Sequence, residues 1–113
     1  MKKLMTMIRG DTLEFTVEIE NLTEPLDSCY FSCKKNANDT QYTFQKSLGN
    51  GITKIGDNKY KVRVAPSDTH TKAVGNYLYD LQIQIGQDIY TILYGMLCIY
   101  EEITEESIWR IIR

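Results

Sequence analysis

Apolar and polar residues alternate with a period of two along most of the chain. In the clearest segment, residues 13–20, apolar side chains at odd positions alternate with Glu or Thr at even ones. A second run covers residues 77–85, and shorter runs cover 28–34, 42–46 and 60–64. This period places successive side chains on opposite faces of a strand, so each segment is predicted to be a half-buried β-strand. The inward residues that we expect in the core are Phe15, Val17, Phe31, Val62, Tyr79, Leu81 and Ile83.

Turn-forming residues separate these segments at intervals of about ten residues. Arg9-Gly10-Asp11, the polar residues 36–39 and Gly86-Gln87-Asp88 each predict a turn. Residues 89–100 are almost continuously apolar, which is typical of a strand that is covered on both faces or that bends at Gly95. Residues 3–8 are predicted to form an edge strand. This spacing of strands and turns is typical of an antiparallel β-sandwich or barrel of seven or eight strands.

Two segments have helical features. Pro66 to Ala73 begins with proline and is followed by Gly75, which predicts one short helical turn. Residues 104–113 begin with a good N-cap, carry Glu in the first turn and end in Arg, which predicts a short C-terminal helix. We therefore expect a β-sandwich over residues 1–103 and a helical tail over 104–113.

The bulk composition fits one small globular domain. The chain has 113 residues and a formal net charge of −2, with its charges spread along the sequence. No strong basic patch predicts nucleic-acid binding, and no apolar run is long enough to span a membrane. The apolar stretch at the N-terminus is too short for a signal peptide, so we expect synthesis in the cytoplasm. Lys59, Lys61 and Arg63 share one face of a predicted strand, which is either a solvated face or an anion contact.

The residues that carry catalysis or bind metals are sparse. Cys29 and Cys33 lie about 13 Å apart along an extended segment, which is too far for a disulfide, and we expect them and Cys98 to be buried thiols. The single histidine, His70, lies in a predicted surface turn, and no cysteine spacing is that of a zinc site. We therefore expect no catalytic residues, no metal and no cofactor, and we predict that the chain is not an enzyme.

The two ends of the chain hold the residues that we predict to form a protein interface. The C-terminal tail is too short to be a stable helix by itself in water, so it must pack on a surface. That surface is either its own sandwich or a neighbouring subunit. The predicted interface residues are Met5, Met7, Ile108, Trp109 and Ile112.

The order of the motifs resembles a known family. Arg9-Gly10-Asp11-Thr12 precedes the first alternating strand, and Pro66-Ser67-Asp68-Thr69 follows the strand over residues 59–64. The strand over residues 75–83, Gly-Asn-Tyr-Leu-Tyr-Asp-Leu-Gln-Ile, comes next. Residues 8–103 thus resemble the immunoglobulin-like domains of bacteriophage and prophage virions, above all the N-terminal domain of the baseplate upper proteins of phages that infect Gram-positive bacteria.

The resemblance implies an immunoglobulin-like sandwich, oligomerisation and attachment of one virion part to another. It implies no catalytic residues. The expected function is that of a non-enzymatic virion structural protein of the baseplate, tail or head, made in the bacterial cytoplasm. Its expected partners are other virion proteins and further copies of itself, with no nucleic acid and no membrane. The alternative is a carbohydrate- or host-surface-binding module in which exposed tyrosines stack on sugar rings.

Overall fold

The computed structural model describes residues 1–103, and they form eight strands and one short helix. Residues 104–113, and with them the predicted C-terminal helix, lie outside the described part of the chain. The elements in chain order are β1 (Met5–Ile8), β2 (Leu13–Glu18), β3 (Ser28–Lys34), β4 (Phe44–Leu48), β5 (Gly51–Gly56), β6 (Lys59–Val64), α1 (Pro66–Thr69), β7 (Gly75–Ile85) and β8 (Asp88–Tyr100).

The strands form one hydrogen-bonded sheet in the order β1-β8-β7-β3-β4-β5-β6-β2. Neighbouring strands are antiparallel except at two places, where β1 runs parallel to β8 and β4 runs parallel to β5. The parallel contact between β4 and β5 covers only two residue pairs, Ser47 with Gly51 and Leu48 with Ile52. The sheet therefore has a narrow joint between a five-strand half (β1, β8, β7, β3, β4) and a three-strand half (β5, β6, β2).

The two halves fold over each other and enclose the core. The ring of Phe15 on β2 meets the ring of Phe31 on β3 edge to face, with centroids 5.2 Å apart. These strands are four places apart in the sheet order, so the contact requires the sheet to close on itself. Phe31 also packs against Tyr79 at 5.6 Å and against Phe44 at 5.9 Å. The result is a sandwich whose centre is an aromatic cluster.

The predicted core is confirmed for five of its seven residues, since Phe31, Val62, Tyr79, Leu81 and Ile83 are all buried. Phe15 and Val17 point inward and pack against the core, but they are only half-buried. They lie on β2, which in the described part of the chain has a neighbouring strand on one side only. The period of two identified the face that points inward, but it carries no information about which strand is at the edge.

A tyrosine hydroxyl closes the corner before β7. Tyr77 donates a hydrogen bond to the Ala73 carbonyl over 2.6 Å. This is the tyrosine corner of immunoglobulin sandwiches, in which the hydroxyl bonds to the backbone a few residues upstream. Two residues later, where antibody domains carry the second cysteine of their inter-sheet disulfide, this chain has the buried Tyr79. The topology and this corner make the domain an immunoglobulin-like β-sandwich without that disulfide.

The motifs behind the family resemblance hold two turns together. In α1, the Asp68 carboxylate accepts a hydrogen bond from the Ala65 N–H over 2.7 Å and pairs with Lys46 Nζ, also over 2.7 Å. Thr69 is completely buried, and its Oγ1 accepts a hydrogen bond from the Gly10 N–H over 2.9 Å. The Gly-Asp turn and the Pro-x-Asp-Thr turn therefore meet in space, and their residue types are explained by backbone hydrogen bonding.

Gly95 lets the N-terminal segment reach β8. Its φ is +154°, and a Cβ at this position would collide with the backbone carbonyl of Lys3. The Lys3 N–H donates to the Tyr94 carbonyl over 2.8 Å, and the Tyr79 hydroxyl donates to the Lys3 carbonyl. The irregularity in the β7–β8 register lies elsewhere, opposite the step from Leu81 to Gln82. Gly95 is thus a site of close backbone approach, and the bulge lies nearer the hairpin.

Candidate binding face

The five-strand half of the sheet exposes several large apolar and aromatic side chains. Because side chains alternate across a strand, the residues between the core positions of β7, β8 and β3 point away from the sandwich. Leu78 lies opposite Met96 in the β7–β8 ladder, and Asp80 lies opposite Tyr94. We call this surface the outer face, and its exposed large side chains include Tyr30, Leu78, Tyr94 and Met96, between 40% and 46% exposed.

A groove crosses the outer face beside β3. Its volume is about 550 Å³. Tyr30 and Tyr42 lie on its walls, and both rings are exposed. The strand register puts Ser32 between Gln45 on β4 and Asp80 on β7. The groove thus combines aromatic walls with a polar floor.

Asp80 is the titratable group at the floor of the groove. Partial burial raises the pKa of its carboxyl above the ordinary value, and the positive charge of Lys34 opposes that shift. Among residues 1–103, no side chain or backbone N–H donates a hydrogen bond to this carboxylate. It is therefore a half-buried acceptor on which a donor from another molecule can bind.

The charged and polar neighbours of Asp80 are held in place. Lys34 Nζ lies 5.1 Å from the centroid of the Tyr42 ring, a cation–π contact that places the ammonium at the end of the groove. The Gln45 amide donates to Ser32 Oγ over 3.0 Å. These contacts limit the rotamers at the floor, so less conformational entropy is lost when a ligand or partner is bound.

The predicted interface residues at the N-terminus lie inside the fold. Met7 is 7% exposed and belongs to the core, and Met5 is half-buried against it. The β1–β8 register explains this placement, because it puts Met5 beside Leu97 and Met7 beside Ile99, both of which face inward. Contact between these methionines and a partner stays a prediction. The predicted interface residues of the tail, Ile108, Trp109 and Ile112, lie outside the described residues.

Sequence reasoning missed the outer face, although a signal was present. Apolar residues stand at both odd and even positions between 89 and 100, and Leu78 interrupts the polar row of β7. Such a run is typical of a strand that is covered on both faces or that bends at Gly95. In the structure, Met96 is 40% and Tyr94 46% exposed within residues 1–103. An apolar residue on the nominally polar face of a strand is thus the sign of this site.

Two of the three cations in the basic row on β6 form ion pairs within the chain. Lys61 Nζ lies 2.9 Å and Arg63 Nε 3.2 Å from the Glu14 carboxylate on β2. These two cations lower the pKa of Glu14, the hydrogen bond from Lys61 contributing most. The strand register also places Glu18 opposite Lys59. Of the two interpretations of this row, the solvated face fits the structure.

The thiols and the single histidine have ordinary environments. Burial raises the pKa of Cys29 to about 11 and that of Cys33 to about 12, so both are neutral thiols at physiological pH. Cys98 is only half-buried, which corrects the expectation that all three are buried, because its side chain points to the outer face. His70 lies exposed at the end of α1. Residues 1–103 contain no cluster of three side chains able to hold a metal ion.

No helix in the described range has the length and apolar character needed to cross a bilayer.

Comparisons with known proteins yield structural neighbours only. No protein-family model and no curated protein matches the chain. A predicted glycoside hydrolase from Bacteroides vulgatus ATCC 8482 is similar over 87% of this chain and 16% of its own length, with 15% identity and a TM-score of 0.51. This chain thus corresponds to about one sixth of that protein. At this level of identity, the likeness concerns the fold alone.

Two immunoglobulin-type structures are also similar. The extracellular domain of the voltage-gated sodium channel β4 subunit matches over 90% of this chain and 93% of its own, with 12% identity and a TM-score of 0.48. A marsupial T cell receptor matches over 90% of this chain and 50% of its own, with 11% identity and a TM-score of 0.49. The class of protein, an immunoglobulin-like β-sandwich, follows from the strand topology and the tyrosine corner described above.

Proposed function

We propose that this domain is a non-enzymatic structural protein of bacteriophage or prophage particles that assembles, through its outer face, with further copies of itself and with other virion proteins. The observation that carries the assembly part is the exposure of Leu78, Tyr94 and Met96 side by side on a regular sheet. Contiguous apolar surface of this kind marks interaction sites on soluble proteins. The virion part is supported by the sequence motifs quoted above.

The composition of the outer face is that of a protein interface. Tyrosine and methionine are enriched at such interfaces, and lysine and glutamate are depleted at their centres. Here Tyr30, Tyr94 and Met96 surround a single carboxylate, Asp80. A partner that covers this surface excludes water from Asp80 and must therefore supply a donor to it. We expect an arginine or a hydroxyl of the partner at this position.

The self-assembly of the full chain tests the outer face directly. We expect sedimentation velocity to show a discrete oligomer, and we expect Leu78→Glu to shift it to monomer, because the new charge would be buried at the interface. Ile55→Glu is the matched control, since Ile55 is 52% exposed on β5 in the other half of the sandwich. A wild-type monomer, or equal dissociation by both variants, would contradict assembly through this face.

The genomic context tests the virion part independently. We expect the neighbouring genes to encode portal, capsid or tail proteins. A neighbourhood of unrelated metabolic genes would contradict a virion role and would leave the oligomerisation result unaffected.

The groove supports carbohydrate binding as a second candidate function. Tyr30 and Tyr42 can stack on sugar rings, while Asp80 and Gln45 can bond to sugar hydroxyls. On this hypothesis the isolated chain binds particular glycans on an array, and Tyr42→Ala removes the binding. The control is Tyr90→Ala, because Tyr90 is 50% exposed near the β7–β8 hairpin and does not line the groove. Absence of glycan binding together with a discrete oligomer would exclude this candidate.

A further inference from the structure

A second surface lies at the opposite end of the sheet, along the open edge of β2. Among residues 1–103 this strand is hydrogen-bonded to β6 alone, over six residue pairs without a register shift. The other end of the sheet, β1, is only four residues long. A long, regular edge is a template on which a further strand can pair, and proteins usually shorten, twist or cover such edges.

The orientation of the backbone shows which groups are available on this edge. Ile19 donates its N–H to the Asn58 carbonyl over 2.9 Å, so its backbone points towards β6. Backbone groups of successive residues point to opposite sides of a strand. The backbone N–H and carbonyl groups of Phe15 and Val17 therefore bond to β6. Those of Glu14, Thr16 and Glu18 point away from the sheet.

The side chains of β2 also leave apolar surface beside this edge. Leu13, Phe15 and Val17 point into the sandwich but are only half-buried. The inward residues of the adjacent strand β6 are at most 1% exposed. The difference arises because β6 has neighbours on both sides and β2 does not. A strand added beside β2 would cover this remaining apolar surface with its own alternate side chains.

The charges on β2 decide between a second copy and a different partner. Glu14, Glu18 and Glu20 point outward, and of these only Glu14 makes an ion pair within the described chain. Two copies paired antiparallel about Thr16 would place Glu14 opposite Glu18 of the other copy on both sides. Like charges directly opposite each other destabilise a strand pair. A second copy is therefore disfavoured at this edge, and basic side chains on the added strand are favoured.

We propose that the β2 edge binds an extended segment of another protein, in which apolar residues alternate with lysine or arginine, by addition of that segment as a further strand. The apolar residues cover Phe15 and Val17, and the basic residues pair with Glu18 and Glu20. The site lies in the three-strand half of the sandwich and is independent of the outer face.

A designed peptide tests this proposal with the full chain. The probe is a fluorescein-labelled peptide of about eight residues in which valine and lysine alternate, a length that matches an ordinary strand. We expect it to bind, and we expect a peptide with glutamate in place of lysine to bind at least about tenfold more weakly. Glu18→Lys combined with Glu20→Lys should reverse this preference.

Proline substitutions separate edge pairing from other modes of binding. Thr16→Pro removes an N–H that points away from β6 and leaves the β2–β6 ladder intact, so we expect folding to be retained and binding to fall at least about tenfold. Thr16→Val keeps the N–H and should bind like the parent chain, and Glu18→Pro repeats the test at the next outward residue. The proposal would be overturned if the peptide still bound both proline variants, if the two peptides bound with equal affinity, or if neither peptide bound. A homodimer that depends on Thr16 would overturn it as well. Leu78→Glu should leave peptide binding unchanged.

Discussion

Gly95→Ala is expected to detach the N-terminal segment from β8. The added Cβ would occupy the space of the Lys3 carbonyl, and the φ of +154° is one that side-chain-bearing residues rarely adopt. The backbone strain alone costs about 1–3 kcal/mol. Displacement of Lys3 breaks its hydrogen bonds with Tyr94 and with the Tyr79 hydroxyl, at about 1 kcal/mol each. We therefore expect the free energy of unfolding to fall by about 3–5 kcal/mol.

Gly49→Ala is the matched control for this experiment. Gly49 has a φ of +82°, but a Cβ there would meet no atom within 4 Å, so only the backbone strain of about 1–2 kcal/mol applies. Urea unfolding followed by far-UV circular dichroism gives both free energies. Hydrogen exchange of residues 1–8 should rise in Gly95→Ala and remain unchanged in Gly49→Ala. If Gly95→Ala were no less stable than the control, the close approach of Lys3 would not be the reason for glycine at this position.

Three further predictions concern individual side chains. We expect maleimide to modify the folded protein at Cys98 alone, because burial protects Cys29 and Cys33 and raises their pKa values to about 11 and about 12. Three labels found by mass spectrometry before unfolding would contradict the described packing. Tyr77→Phe should lower the free energy of unfolding by about 1–2 kcal/mol through loss of its hydrogen bond to the Ala73 carbonyl, whereas Tyr90→Phe should change it little. Because burial raises the pKa of Asp80, the parent chain loses stability as the pH rises through that pKa. Asp80→Asn should therefore be more stable than the parent chain at pH 7, and this difference should vanish near pH 3. A difference that grows in acid would refute the predicted direction.

Much of the fold was predictable because its signals are local. The period of two located β2, β3, β4, β6 and β7, and the apolar run over residues 89–100 located β8. Glycine and asparagine located the turns, including the two-residue hairpin between Ile85 and Asp88. These features depend on neighbouring residues, which a single sequence displays directly. The existence of a short helical turn after residue 65 was predicted in the same way and is confirmed by α1.

The pairing of distant strands was not predictable from the same signals. Nothing near Met5 or Met7 indicates that β1 runs parallel to β8 and buries Met7. Likewise, nothing in the alternation of Phe15 and Val17 indicates that β2 is an edge strand. Both facts depend on sheet order, which is set by contacts between residues far apart in the chain.

The outer face illustrates the same limit for the site. Leu78 and Met96 become one surface only when β7 and β8 pair in their observed register. Each residue breaks the expected alternation in its own strand, and that departure is visible in the sequence. Their meeting, and the position of Asp80 beside them, depend on the hairpin register.

The pairing of β1 with β8 also determines when the domain can complete its folding during synthesis. The N-terminal ammonium group donates to the Ile92 carbonyl, 91 residues along the chain. At about 5–20 residues per second, the first strand waits roughly 5 to 18 seconds for its partner to be translated. During that time Met7 lacks the core position that β8 provides, and the contact order of the fold makes this closure a late and slow step. Strand β1 thus completes its pairing only after β8 has been translated.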